Sequence, residues 1–322
     1  MSSPTLPKVF VSEPVNQKGL DLLAGKAEVV LAPDTTKATA LRLIADCAAV
    51  LARATTIFDA EVIAAAPNLR VIARTGVGYN NVDLAACAAR NIPVCIAPGT
   101  NNETVAEQTL AMILALAKQV VHQDRAVRQG QWLERFSPRQ MDVQGKTVAL
   151  VGLGAIGRAV AVRCRAFGMH VLAFDPFFRG ELTGVEFSDD LDELFRRADF
   201  LSLHCPATKE TTDMVNARTL ALMKPSAYLI NTSRGDLVVE QDLADALHRG
   251  VVAGAAVDTF RAEPVRAGDP LLDCPNLILS PHLAGSTVES NERLATTAAR
   301  AIVDVLEGRR PNHIVNEKLL TA

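Results

Sequence analysis

His282 stands in "LSPHLAGST", just past an apolar run, Asn276 to Leu279, that reads as a short buried strand. An imidazole titrates near neutrality, so at a strand end it can take a proton from a hydroxyl or return one to a carbonyl oxygen. Glu263, in "FRAEP", is an acid able to hold that ring in one tautomer and to stabilise its protonated form. Arg234, in "INTSRG", offers a planar fork of donors that fits a carboxylate and polarises a neighbouring carbonyl. Singly, each has a plainer reading: a hydrogen-bonded core histidine, a helix-capping acid, a solvated surface charge. All three, however, follow apolar runs, and open α/β sheets gather their ligands at strand ends. With Asp258, placed after "VAGAAV" to accept from a nicotinamide carboxamide, they suit hydride transfer between an alcohol and a ketone beside a carboxylate.

Such a transfer needs a redox cofactor, and "KTVALVGLGAIGRAVAVRCRAFGMHVLAFDP" carries a site for one. Gly152, Gly154 and Gly157 follow an apolar strand and open an Ala-rich helix in the spacing G-x-G-x-x-G. The first glycine permits the tight turn, the second lets the backbone approach a pyrophosphate, and the third packs helix against strand. Asp175 ends the next strand, where it accepts from ribose hydroxyls and repels a 2′-phosphate, which favours NAD over NADP. Arg179, close by, is the one charge able to pair with that phosphate; its plain reading is a solvated loop residue.

The elements that must position these groups alternate. "KVFVSEP", "AEVVLAP", "AAVLARA", "LRVIARTG" and "IPVCIAP" are β-branched runs separated by Ala- and Leu-rich helical stretches, which implies parallel pairing through crossover helices. A long helix is expected from about Glu103 to Gln129, stopped by Gly130, followed by the loop "WLERFSPRQMDVQGK" and a second strand–helix series from Thr147. A final helical stretch after Ser286, ending at Gly308, is expected to fold back on the first domain. The fold class is therefore α/β with two doubly wound parallel-sheet domains: residues 1–100 plus 287–322, and an inserted cofactor domain over 101–286. Crossings near 100 and 286 are the expected hinges of a closing motion around substrate.

Composition agrees. Hydrophobic content of 49% with only 4% aromatics is what stacked helices and parallel strands require, and 322 residues exceed one ordinary core. A formal charge of −3 without a dense basic cluster argues against nucleic acid as a ligand. The cysteines, Cys47, Cys87, Cys95, Cys164, Cys205 and Cys274, form no Cys-x-x-Cys pair and read as reduced core residues, not as a metal site or disulfide framework. "MSSPTLPKVFVSEP" lacks the pattern of a signal peptide, and "TVAEQTLAMILALAKQVV" is too polar to span a bilayer, so the expectation is a cytoplasmic protein without membrane partners.

The chain resembles the D-isomer-specific 2-hydroxyacid dehydrogenase family over essentially its whole length. The marks are "GLGAIG" with "FDP", "LINTSRGDLVVEQDLADAL", "AAVDTFRAEP", "SPHLAGST", "ARTGVGYNNVD" and "GTNNETVAEQTLAMILAL". The resemblance implies a Rossmann NAD-binding domain inserted into a flavodoxin-like substrate domain, and a homodimer paired through the nucleotide domains. It implies Arg234 as substrate anchor, Glu263 as partner of the histidine and His282 as general acid/base. Thr104 and Asp258 become nicotinamide-side contacts, and Ala155, Ile156, Cys205, Pro206 and Thr232 join the cofactor site. The amides of Val77 and Gly78 are implied to bind the substrate carboxylate; Tyr79 and Trp132 read as pocket-lining residues or as plain packing between domains. An acid at 263 separates the chain from formate dehydrogenases, whose histidine pairs with Gln.

The substrate within this family is open between two readings. Glyoxylate and hydroxypyruvate reductases carry a similar "RTGVGYNNVD" pattern, whereas Arg53, Arg74 and Arg135 resemble basic residues that hold phosphate in phosphoglycerate dehydrogenases. No regulatory domain is expected after residue 322. A non-catalytic NAD-sensing protein is a third possibility, opposed by the complete Arg, Glu and His set and by the absence of long extra termini.

Overall fold

The five apolar runs of the first hundred residues pair into one sheet because side chains on both of its faces are apolar. A computed structural model describes residues 5–136 and 139–321; Met1 to Pro4, Ser137 and Pro138 of the long loop, and Ala322 lie outside the described residues. β1 (Lys8–Val11), β2 (Glu28–Leu31), β3 (Cys47–Ala52), β4 (Val71–Arg74) and β5 (Val94–Cys95) run parallel in the order β2-β1-β3-β4-β5. Successive residues point to opposite faces. Phe10, Val50, Ile72 and Val94 fill one core, and Val9, Val11, Leu51 and Val71 fill the other with Ala298 and Ile302 of the helix Val288–Leu306. That helix starts in a capping box between Thr287 and Ser290. It lies so close to the helix Gln17–Leu23 that a Cβ added at Gly19 would meet Ala295 Cβ at 2.8 Å. Beyond it, Asn316 accepts from Val94 N and donates to Ile92 O, each at 2.9 Å, tying the tail to β5.

The second unit is a seven-stranded parallel sheet. Its strands are β6 (Thr147–Val151), β7 (His170–Phe174), β8 (Val185–Phe187), β9 (Phe200–Leu203), β10 (Tyr228–Asn231), β11 (Gly254–Val257) and β12 (Leu277–Leu279), in the order β12-β11-β10-β9-β6-β7-β8. Strand order reverses between β6 and β9, which creates a crevice at their carboxyl ends. One face is covered by the helices Asn102–Ala117 and Ala155–Ala166, the other by Leu191–Arg197 and Glu240–His248. Contacts divide the chain into Met1–Asn101 with Thr287–Ala322, and Asn102–Ser286. The fold is two parallel-sheet α/β domains.

Two local expectations are corrected, and one strand is added. The long helix is two, Asn102–Ala117 and Val120–Arg128, bent by 56°, because Gln119 takes a left-handed conformation (φ 54) and its side-chain amide donates to Leu116 O. β12 is an edge strand of intermediate exposure, not a buried one. β8, at the other edge, has no counterpart among the apolar runs because most of it faces solvent. No single helix among the described residues is long and apolar enough to cross a membrane.

Candidate active site

The turn after β6 shows why three glycines are needed and what they leave open. Gly152 has φ +100, and a Cβ there would stand 2.8 Å from His204 C and O; one at Gly157 would stand 2.2 Å from Gly152 O. Strand, turn and helix therefore meet backbone to backbone. A Cβ at Gly154 would meet nothing within 4 Å, so that face is free. The helix Ala155–Ala166 begins at Gly154 with no side-chain cap, leaving the first-turn N–H groups around Ala155 and Ile156 available to an anion. The residues present fit a dinucleotide pyrophosphate.

Asp175, just past β7, is held rigidly: Oδ2 accepts from Leu153 N at 2.8 Å, and Oδ1 from Phe177 N at 2.9 Å and Phe178 N at 3.1 Å. A carboxylate has about four acceptor sites, so capacity remains for a ribose hydroxyl. Arg179 is turned away, its Nη1 donating to Pro176 O and Phe178 O at 2.8 and 2.9 Å. Across the switch point, Cys205 O accepts from Ser233 Oγ at 2.6 Å and Pro206 O from Thr211 Oγ1 at 2.7 Å. Burial pushes the Cys205 thiol up to about 11, so it is a protonated neighbour and not a nucleophile. Thr232 and Thr104 are both buried, and Thr232 Oγ1 lies 3.0 Å from Thr109 Oγ1. His204 was not foreseen. Its ring is 2.9 Å from Ser202 Oγ, and desolvation pushes it down to about 4.

The catalytic candidates lie beyond the carboxyl ends of three neighbouring strands. His282, three residues past β12, has φ 54; its N–H donates to Asp258 O at 2.8 Å. Nδ1 lies 2.7 Å from Glu263 Oε2, and since the carboxylate can only accept, Nδ1 carries the proton. Glu263 is fixed in turn, because Oε1 accepts from Phe260 N at 2.9 Å. The imidazole Nε2 has no partner among the described residues, and the side chain is 51% exposed. Arg234, past β10, donates from Nη1 to Ser233 O at 2.7 Å and makes no hydrogen bond or ion pair with Glu263 or His282 among the described residues. Asp258, past β11, is wholly buried, with Oδ1 and Oδ2 accepting from Leu283 N and Ala284 N at 2.9 Å each. Asn231, also unforeseen, is equally buried at the end of β10.

In the other unit, Arg74 ends β4 and is 7% exposed; burial lowers it to about 10. Nε donates to Gly78 O at 2.8 Å, which orders the turn holding Val77 and Tyr79, both partly exposed. Arg53 Nη1 donates to Pro14 O at 2.8 Å. Between them Glu13 Oε1 accepts from Thr55 N and Thr56 N, a carboxylate at the β1/β3 switch point that no sequence motif marks.

Residues 110–284 match the family model described as D-isomer specific 2-hydroxyacid dehydrogenase, NAD binding domain. A glyoxylate reductase of Korarchaeum cryptofilum is 38% identical over 323 residues, which cover 98% of this chain and 97% of that protein. A D-3-phosphoglycerate dehydrogenase of Mycobacterium leprae is 40% identical over 97% of this chain, which spans 59% of that protein. The crystal structure of an NADPH-dependent glyoxylate/hydroxypyruvate reductase from Sinorhizobium meliloti, in complex with NADP and malonate, superposes with a TM-score of 0.85 at 28% identity, covering 99% of both chains.

Proposed function

Because the chain belongs to the D-isomer specific 2-hydroxyacid dehydrogenase family, we propose that it interconverts a D-2-hydroxy acid and its 2-keto acid with NAD, using His282, Glu263 and Arg234. When bound, the nicotinamide supplies the hydride to the substrate's C2 or accepts it from there. In reduction, His282 gives the proton on Nε2 to the developing alkoxide; in oxidation it takes the hydroxyl proton back. Glu263 keeps Nδ1 protonated and stabilises the imidazolium. Arg234 holds the substrate carboxylate and draws charge toward the carbonyl oxygen. The observation that carries the reading is the 2.7 Å bond from His282 Nδ1 to Glu263, with Nε2 having no partner among the described residues.

NAD is favoured over NADP by the fixed Asp175 carboxylate and by Arg179 being spent on its own loop. Gly152, Gly154, Ala155, Ile156 and Gly157 would hold the pyrophosphate, with Thr104, Cys205, Pro206 and Thr232 around the rest of the cofactor. Val77 and Gly78, ordered by Arg74, are assigned to the substrate carboxylate, with Tyr79 beside them. The reading also takes the protein to be a cytoplasmic homodimer. Purified protein should oxidise NADH in the presence of glyoxylate, hydroxypyruvate or pyruvate, faster than it oxidises NADPH. NADH binding without turnover of any keto acid would leave a cofactor-sensing protein instead.

A phosphorylated substrate is the second reading, favoured by Arg74, whose buried guanidinium has only Nε engaged among the described residues. Adding 3-phosphohydroxypyruvate to the panel decides between them.

A further inference from the structure

Two strand ends beside the candidate relay carry polar side chains with no exposure at all: Asn231 at the end of β10 and Asp258 just past β11. A buried amide or carboxylate is costly unless every polar atom is satisfied. Both are satisfied, and by backbone alone. Asn231 Oδ1 accepts from Ser233 N at 3.0 Å, and Nδ2 donates to Arg234 O at 2.9 Å. Asp258 accepts from Leu283 N and Ala284 N, while its carbonyl accepts from His282 N. The two residues are joined through Asp258 N, which donates to Asn231 O at 2.9 Å.

The residue types match the groups they face. The turn before Arg234 presents one N–H and one C=O, which an amide can pair and a carboxylate cannot. The turn after His282 presents two N–H groups, which a carboxylate pairs and an amide does not. That second turn has to be held, because His282 at φ 54 is in a backbone region that side chains with a Cβ disfavour.

We propose that Asn231 and Asp258 are a coupled pair of positioning residues, holding the turns that present Arg234 and His282 to substrate. The proposal rests on the roles given to those two residues above, and it assigns Asp258 to the His282 turn in place of a nicotinamide carboxamide. Neither residue touches substrate.

The test exchanges the polarity of each clamp at constant size. Asp258→Asn sets an NH2 group against a backbone N–H, and Asn231→Asp sets a carboxylate oxygen against Arg234 O. Asp258→Asn should lower kcat by about tenfold to hundredfold, the usual consequence of a small misplacement of a reacting group, with NADH affinity within about twofold of wild type. Asn231→Asp should raise KM for the keto acid by about tenfold, again with NADH affinity kept. NMR of nitrogen-15-labelled protein adds a readout independent of turnover: the His282 Nδ1 proton, hydrogen-bonded to Glu263 and assigned by its loss in His282→Ala, should weaken or vanish in Asp258→Asn. If wild type reduces no keto acid, the proposed reaction fails, yet this proton still reports whether Asp258 orders the ring. Retained NADH binding and an unchanged thermal midpoint distinguish misplacement from misfolding. Should Asp258→Asn not fold, Asp258→Glu, which keeps both acceptors on a longer stem, should give the same loss of kcat and proton signal. Wild-type kcat, KM and ring-proton signal in the variants would overturn the proposal. So would an Asp258→Asn enzyme that binds NADH at least tenfold more weakly with kcat unchanged, which is the signature of a carboxamide acceptor.

Discussion

In the proposed reaction His282, with Nδ1 bonded to a fixed carboxylate and Nε2 without a partner among the described residues, moves the proton through Nε2 alone. His282→Ala should therefore cost about 10²–10⁴ in kcat for keto-acid reduction, while NADH affinity, measured by fluorescence titration, stays within about twofold. Glu263→Gln keeps the size and a hydrogen bond but removes the charge opposite the imidazolium. With that charge gone, kcat for keto-acid reduction should fall by about tenfold or more while NADH affinity is kept; an unchanged kcat would take Glu263 out of the proposed relay. At this scale the sequence was informative where residue type was unusual for its place. Arg234, Glu263 and His282 were legible as polar groups after apolar runs. Asn231, in "LINTS", was not, since a side chain that bonds only backbone carries no spacing signal. Glu13 is hidden for the same reason: its partners are the amides of Thr55 and Thr56, forty-odd positions away.

At the scale of elements, the turn after β6 and the end of β9 are one construction, because Gly152 lies against the backbone of His204. His204 itself is desolvated, which narrows its pH range. Its ring is neutral in the folded protein down to about 4, whereas the unfolded chain binds a proton from 6.5 downward. The unfolded state thus holds more protons in that window, so stability is whole above 6.5 and is lost as pH falls toward 4. The slope is at most about 1.4 kcal/mol per pH unit. Urea unfolding at pH 7 and pH 5 should show the loss, and His204→Gln should reduce it. Parallel strands covered on both faces were legible as apolar runs because most of their side chains are buried; the polar exceptions include Ser202 in β9 and, at strand ends, Arg74 and Asn231. β8 escaped because Val185–Phe187 is short and largely exposed. The bend at Gln119 escaped because no Gly or Pro announces it; the left-handed residue is held by its own side chain.

For the whole molecule, the second unit leaves apolar side chains uncovered in one stretch: Val120 and Val127 on the helix Val120–Arg128, then Trp132, Leu133 and Phe136, which are 52–75% exposed. A surface of that kind is costly to leave in water and supports the proposed homodimer. Light scattering should give about twice 34.4 kDa for the wild type. Leu133→Asp with Phe136→Asp should shift it to the mass of a single chain; a variant that stays paired places the interface elsewhere. The interleaving of the two units is the feature with the longest reach. Val9, Val11, Leu51 and Val71 are covered by Ala298 and Ile302, which leave the ribosome only after the entire seven-stranded unit has been made. For most of translation that face of the amino-terminal sheet therefore has only the helix Gln17–Leu23 and its neighbours to cover it, leaving apolar surface on which chaperones can act until the last long helix emerges.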